Sequence, residues 1–483
     1  MNYRMIFKSV GTVLCIEAAC MLPSLIVAFI YGEKAAVAFA LSAAVVALAG
    51  FALLRIKTPV SRIYTRDGFA IVSLSWIFVT ILGTLPFLLS GSIPSVIDAF
   101  FESASGFSTT GSSILRNVEA LPKSILFWRS STHWLGGMGI LVLMIAILPS
   151  VSASSINIMI AESPGPSPGK VVPKIRETAK ILYSIYILMT GILVVLLLAG
   201  GMSLFDALIH AFGTASTGGF SSRNTSVAAY NSVYIETVIT VFMFLFGVSF
   251  TLYYMILKRN IKPVLRDEEL RFYCGVVVTA IVLITLNITG TVYQSIGESI
   301  RYASFQVSSV ITTTGFGTAD FNLWPTFSQI ILVLLMLIGA CAGSTGGGLK
   351  CIRIILLIKI IKREIAKLNH PRAIQTVKIN GHKVDEETLS GVMAFFFFVM
   401  LIIAVSVLIV SLEGKDSITS TTAVIASISN IGPGLGAVGP TGNYADFSVL
   451  SKGVLSVCML VGRLEIYPIM LLCFPSFWKR SSI

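Results

Sequence analysis

The sequence predicts an all-α membrane protein: four pseudo-symmetric helix–loop–helix units, each with a stretch that dips in and turns back, preceded by two extra N-terminal transmembrane helices. Three observations predict it: an apolar composition, long hydrophobic windows, and four glycine-bearing segments that recur along the chain. Apolar residues make up 55% of the 483 and charged residues only 12%, whereas a soluble domain carries about 25% charged residues. Ten windows are long enough, at about 1.5 Å per residue, to cross a hydrocarbon layer roughly 30 Å thick. They cover 10–31, 35–54, 68–89, 125–148, 181–198, 233–257, 272–288, 327–361, 392–412 and 449–473.

The first window is long, carries Glu17 and lacks a small-residue cleavage site, so it reads as a membrane helix rather than a signal peptide. Basic residues sort by side. With the N-terminus cytoplasmic, one side collects Arg4, Lys8, Arg55, Lys57, Arg62, Arg66, Lys170, Lys174, Arg176 and Lys180, then Lys258 to Arg271, Lys350 to Lys383, and Lys479 and Arg480. The other side holds Lys34, Arg116, Lys123, Arg129, Arg223, Arg301, Lys415 and Lys452. Roughly 26 of the 35 basic residues thus face one compartment, a positive-inside asymmetry that puts both termini in the cytoplasm. The net charge of +12 is an orientation signal and not a nucleic-acid footprint. Seven cysteines without a CxxC pair argue against a structural metal site or a disulfide framework.

The repeat lies in four segments: Ser108-Thr109-Thr110-Gly111-Ser112, Ser216-Thr217-Gly218-Gly219-Phe220, Thr312-Thr313-Thr314-Gly315-Phe316 and Ser429-Asn430-Ile431-Gly432-Pro433. Each follows a long apolar helix and a shorter semi-apolar stretch, and each precedes a second long helix. The shorter stretches, such as 98–107 and 206–215, have about half the length needed to span. Asp98 and Asp206 sit at the same distance before their glycines and are expected to cap them; the fourth unit offers Asp416 and the third only Glu298. The units are expected at 67–179, 180–270, 271–388 and 389–483, after a two-helix domain at 1–66.

Loops at membrane depth are tolerated only where protein buries them or water lies beside them. Four such loops around one axis supply an ion pore, whose backbone carbonyls replace the hydration shell of an alkali cation. Glycine permits φ > 0, which lets successive carbonyls point toward the axis. The short helices aim their negative C-terminal ends at the same place.

These loops, together with Ala342-Gly343-Ser344-Thr345-Gly346-Gly347-Gly348 and Gly462-Arg463-Leu464-Glu465, resemble the Trk/Ktr/HKT superfamily of potassium transporters, and the two added N-terminal spans point to its TrkH/TrkG branch. The resemblance covers nearly the whole chain. It implies a potassium filter built from Thr109, Thr110, Gly111, Thr217, Gly218, Gly219, Thr313, Thr314, Gly315, Asn430, Ile431 and Gly432. Glycine at all four key positions implies potassium as the permeant ion, because a serine at the first goes with sodium preference in plant relatives. The resemblance further implies a homodimer with two separate pores and a cytoplasmic ring of RCK-type, TrkA-like nucleotide-binding subunits.

The window 327–361 would make a helix of roughly 50 Å and so has to break or project. The run Gly343, Ser344, Thr345, Gly346, Gly347 and Gly348 lies at its middle and cannot easily continue a helix; in the resembled family it is the intramembrane gating loop. Arg463 lies within the tenth window, where a charge must face water or a partner. It is expected to face the pore and hold the loop through its carbonyls, as part of the gate; the alternative is a structural ion pair with another helix. Glu465, two residues on, points elsewhere. Glu17 reads as a buried structural carboxyl, and His133, His210, His370 and His382 as structural or surface residues.

No nucleophile, triad or phosphate motif is visible, and Gly346-Gly347-Gly348 lacks the GK[ST] of a P-loop. An enzyme is therefore not expected. The chief alternative is a secondary transporter with a midplane site between broken helices, although four units entering from one side argue against two inverted halves. The reading that results is a gated potassium pathway in a bacterial inner membrane, with lipid around it.

Overall fold

The computed structural model describes residues 1–58, 65–139, 175–370 and 375–478. Within these the chain is helical, with one two-stranded exception. Among the described residues, six helices are long and apolar enough to cross a membrane: Tyr3–Ile30, Ala35–Leu54, Arg66–Leu89, Glu177–Ala199, Glu268–Ile288 and Glu386–Ser411. Their outer faces carry exposed Leu22, Phe29, Leu48, Phe397 and Leu408, as a lipid-facing helix does, since nothing drives those side chains inward. The protein is a multi-pass membrane protein.

The helices start earlier than the apolar windows. Asp67, Glu177, Glu268 with Glu269, and Glu386 with Glu387 occupy first turns, where an acidic side chain is favoured by the positive end of the helix dipole. Each expected unit boundary therefore falls a few residues inside a helix.

Three of the windows are not single straight spans. Val233–Phe246 and Phe250–Leu257 meet at a 93° bend across Gly247. The long window breaks between Thr326–Ile338 and Cys351–Asn369, and the last between Val449–Arg463 and Tyr467–Leu472, where Glu465 and Ile466 both take positive φ. Of the window 125–148, the helix Lys123–Gly137 is seen and the remainder lies outside the described residues, as do Arg62, Lys170, Lys174, Arg372, Lys479 and Arg480. The exception to helix is a hairpin pairing Lys378–Ile379 with His382–Lys383. Asn380 and Gly381 at its tip both have positive φ, which the two-residue turn demands.

Four of the shorter helices carry the glycine-bearing segments: Val96–Phe107, Leu204–Ala215, Ile296–Ile311 and Ser417–Ile428. Their C-terminal halves are buried, and all four end on the glycine-bearing segments.

Candidate functional site: a ring of four loops and the loop beneath it

Three of the four short helices begin on side-chain caps, though not always the expected ones; Ile296–Ile311, preceded by Ser295, has no side-chain cap. Ser95 and Ser203 accept the backbone N–H of Asp98 and Asp206. Each aspartate is thus the third helical residue of a Ser-x-x-Asp box and not the cap itself. Asp98 instead pairs with Lys452 at 2.6 Å, and Asp206 accepts from Ser222 at 2.6 Å. Asp416 does cap its helix, accepting from Thr419 N at 2.9 Å.

The C-terminal ends repeat one geometry four times. Thr110, Gly218, Thr314 and Ile431 donate their N–H to the carbonyl five residues back, at 2.8–2.9 Å. Thr109, Thr217, Thr313 and Asn430 donate three residues back, at 3.1–3.3 Å. This is the Schellman arrangement, whose left-handed position is commonly glycine. Here three β-branched threonines and an asparagine hold φ of +56° to +61°, a conformation unfavourable for branched side chains. Two of the threonines return a hydroxyl to the preceding carbonyl: Thr109 at 2.7 Å and Thr217 at 2.5 Å.

The glycine two residues on again takes positive φ: Gly111 +81°, Gly219 +78°, Gly315 +81° and Gly432 +95°. Each meets the next loop in chain order. A Cβ on Gly111 would lie 2.1 Å from the Gly218 carbonyl oxygen, one on Gly219 2.0 Å from that of Thr314, and one on Gly315 2.0 Å from that of Ile431. The circuit closes at Gly432, 2.8 Å from the Thr110 oxygen. All four glycines border a single polar cavity of about 170 Å³. Eight of the twelve residues singled out in these loops are thus brought together as a closed ring, in which main-chain oxygens and glycines alternate from loop to loop, and Thr109, Thr217, Thr313 and Asn430 are the left-handed residues just before it in each loop.

On the other side of the ring lies the break in the long window. Cys341 N–H bonds to the Gly247 carbonyl at 3.0 Å, and the Gly343 carbonyl accepts from Phe250 N at 3.0 Å, so the bend of one span holds the loop of another. Gly343 and Gly348 take positive φ. Ser344 turns its hydroxyl to Cys341 O at 2.7 Å, and Thr345 reaches Phe246 O at 3.3 Å. Gly346 packs where a Cβ would be 3.0 Å from Thr312 O, and Gly347 where one would be 2.4 Å from Ser429 O. The Gly347 N–H donates to the Thr313 hydroxyl at 2.7 Å. The loop therefore docks on the ring's third and fourth members.

Arg463 holds this loop. Its guanidinium donates to Thr345 O at 2.9 Å and, from the other nitrogen, to Gly136 O at 2.5 Å and Gly137 O at 2.6 Å. The planar fork suits several carbonyls at once. Glu465 does not pair with it and bonds instead to Arg353. Glu17 is buried, and neither carboxyl oxygen has a hydrogen-bond partner among the described residues.

Sequence reasoning missed two residues. Lys350, buried and at φ +76°, donates from Nζ to Gly346 O across the loop. Glu269 Oε1 accepts from Ala342 N at 2.7 Å and from Ile352 N at 3.0 Å, tying both ends of the loop. The charge of Lys350 beside the glycine run was a usable signal; the contact of Glu269, made across the chain, has none.

Helices of spanning length, short helices that end on glycine loops, and the closed ring those loops form define the class as a membrane transport protein. The TrkH cation transport protein family model matches residues 34–480, and the chain belongs to that family. It is 38% identical to the Trk system potassium uptake protein TrkH of Salmonella typhimurium, over 99% of this chain and 100% of that one. It is 33% identical to TrkG of Escherichia coli K12, over 99% of each. The crystal structure of the potassium transporter TrkH from Vibrio parahaemolyticus superposes with a TM-score of 0.90, at 36% identity, covering 99% of this chain and 100% of that one.

Proposed function

We propose that this chain is a gated potassium-uptake subunit of a bacterial inner membrane, conducting through the carbonyls of its four loops. The observation that carries the reading is the closed circuit of Gly111, Gly219, Gly315 and Gly432 against Gly218, Thr314, Ile431 and Thr110. Main-chain oxygens gathered in such a ring can substitute for the water around a monovalent cation, and four helix C-termini converge on the ring to favour positive charge. The four helix–loop–helix units form one pathway, and the first two helices stand outside it. The relatives' names, as potassium uptake proteins, support potassium as the ion.

The loop from Gly343 to Gly348 is the gate, closed in this arrangement by Thr313, Arg463 and Glu269. Both termini are cytoplasmic, so the membrane potential pulls cations inward at about 2.3 kcal/mol per charge per 100 mV. No catalytic step is needed. The relatives belong to a Trk system, which supports a cytoplasmic TrkA-like regulatory ring and a homodimer as the working assembly. Rubidium tracer uptake into liposomes holding the purified protein tests the reading. The wild type should pass rubidium in preference to sodium, and Gly111→Ser should raise the sodium share; no preference between the two ions, or no passage of either even when Arg463→Ala loosens the loop, overturns it.

A further inference from the structure

The Lys123–Gly137 helix presents Arg129, His133 and Gly137 at successive spacings of four residues, which places them along one face. All three meet the second loop. Gly137 lies where a Cβ would be 2.7 Å from Ser216 Cα. His133 lies against Gly218, where a Cβ would be 2.5 Å from the imidazole Cδ2 and 2.8 Å from Nε2. Arg129 covers the Phe220 ring at 3.4 Å and donates to Ser221 O at 3.2 Å. The His133 and Phe220 rings stack at 3.9 Å with 17° between planes.

Position 218 is the odd member of its set. The other loops carry Thr110, Thr314 and Ile431 there; the second carries glycine, and the imidazole occupies the volume a side chain would need. The ring is fixed from its far side, because Nδ1–H donates to Gly106 O at 2.7 Å, and Gly106 belongs to the first short helix. His133 is fully buried. Glu102 holds the stack in turn, bonding Arg129 at 2.5 Å while accepting from Ile114 N at 3.0 Å. The carbonyl of Gly218 is the one that packs on Gly111.

We propose that His133 is a positioning residue for ion discrimination, a wedge between Gly106 and Gly218 that sets where the Gly218 carbonyl stands in the ring. This deepens the reading of the four loops as the ion filter and rests on it. Emptying the wedge gives the second loop room to shift, and a carbonyl free to close in suits the smaller sodium ion. A merely structural side chain would alter assembly or total flux and leave the ratio of the two ions alone.

The test is the sodium-to-rubidium influx ratio of full-length protein in liposomes. His133→Ala should raise the ratio about tenfold, which is ~1.4 kcal/mol of relative transfer free energy. His133→Asn, which keeps an N–H for Gly106 but empties the ring volume, carries the same expectation and serves if the alanine variant does not assemble. Adding Gly218→Thr to His133→Ala places in the vacated space the residue found at the first and third loops. That double variant should return the ratio to within about twofold of wild type. An unchanged ratio in both single variants, or a double variant no closer to wild type than His133→Ala, overturns the proposal. A protein that passes no rubidium even when Arg463→Ala loosens the loop is a different failure and refutes the filter reading itself.

Discussion

The backbone N–H of Gly347 donates to the hydroxyl of Thr313 at 2.7 Å, so the broken middle of one span is bonded to the residue that closes the third short helix. Loop and ring are in direct contact at this point. A Cβ on Gly347 would lie 2.4 Å from Ser429 O and 3.0 Å from Asn430 Cβ, and backbone cannot yield as a long side chain does. Gly347→Ala should lift the loop from its seat, at a cost of about 1–3 kcal/mol, and raise rubidium uptake about tenfold without any activating partner. Uptake at or below wild type would show that the loop does not close the pathway.

Arg463 spans two elements, with Thr345 on the loop and Gly136 and Gly137 at the end of a neighbouring helix. Bonds from a charged donor are each worth about 1.5–3 kcal/mol. Arg463→Ala should therefore conduct more readily than wild type. Arg463→Lys should fall between them, because an ammonium cannot reproduce the flat fork. The same liposome flux assay ranks the three proteins, and a lysine variant more active than the alanine variant would contradict the account.

The four ring glycines are not equally crowded. Gly111, Gly219 and Gly315 leave 2.0–2.1 Å for a Cβ, whereas Gly432 leaves 2.8 Å. All four share positive φ, so backbone strain is common to the set and crowding separates them. Alanine at any of the first three should abolish rubidium uptake, while Gly432→Ala should keep a measurable fraction. Equal loss at all four would mean that strain alone decides.

Much of this was legible because a bilayer imposes a length and a composition on whatever crosses it. The windows, the four segments and the impossible length of 327–361 all follow from that rule. Hydropathy is blind to charged first turns, which is why helices begin earlier, with Asp67, Glu177, Glu268 and Glu386 in their first turns. The Ser-x-x-Asp boxes at Ser95 and Ser203 were present as sequence, but the aspartates drew attention from the serines that cap. The 93° bend at Gly247 lies within a continuous apolar run, and Glu269 and His133 act through residues distant in the chain. Periodicity carries no record of such pairs.

Asp416 offers a pH-dependent check on the fourth short helix. Hydrogen bonds from the Thr419 side chain, and then from its backbone N–H, hold the Asp416 carboxyl below the usual carboxylate range. A depressed folded value means stability that is present above the unfolded pKa, about 3.9, and lost as pH falls through the folded one. Asp416→Asn should keep most of the cap yet lose this acid-dependent component. Asp416→Ala should lose both, destabilising the helix by about 1 kcal/mol at neutral pH. Thermal melts in detergent from neutral pH to below pH ~4 separate the three; parallel profiles would remove Asp416 from the account.

Glu269 presents the strongest case for control from the end of the bundle. One carboxyl oxygen receives Ala342 N–H at 2.7 Å and Ile352 N–H at 3.0 Å, so both flanks of the loop are tied to a single atom. The adjacent Glu268 exchanges backbone–side-chain bonds with Asn380 at 2.9 Å each way, which couples the hairpin tip to the same helix start. Leaving two half-buried N–H groups unsatisfied costs up to about 1–3 kcal/mol apiece. Glu269→Ala should therefore weaken the closed loop and raise rubidium uptake, whereas Glu269→Gln, which retains an acceptor oxygen, should stay near wild type. Asn380→Ala, one step removed, should shift uptake in the same direction by a smaller factor. If the alanine and glutamine variants at Glu269 behave alike, the acceptor oxygen is not what holds the loop, and the tie must be sought in Arg463 and Thr313 alone.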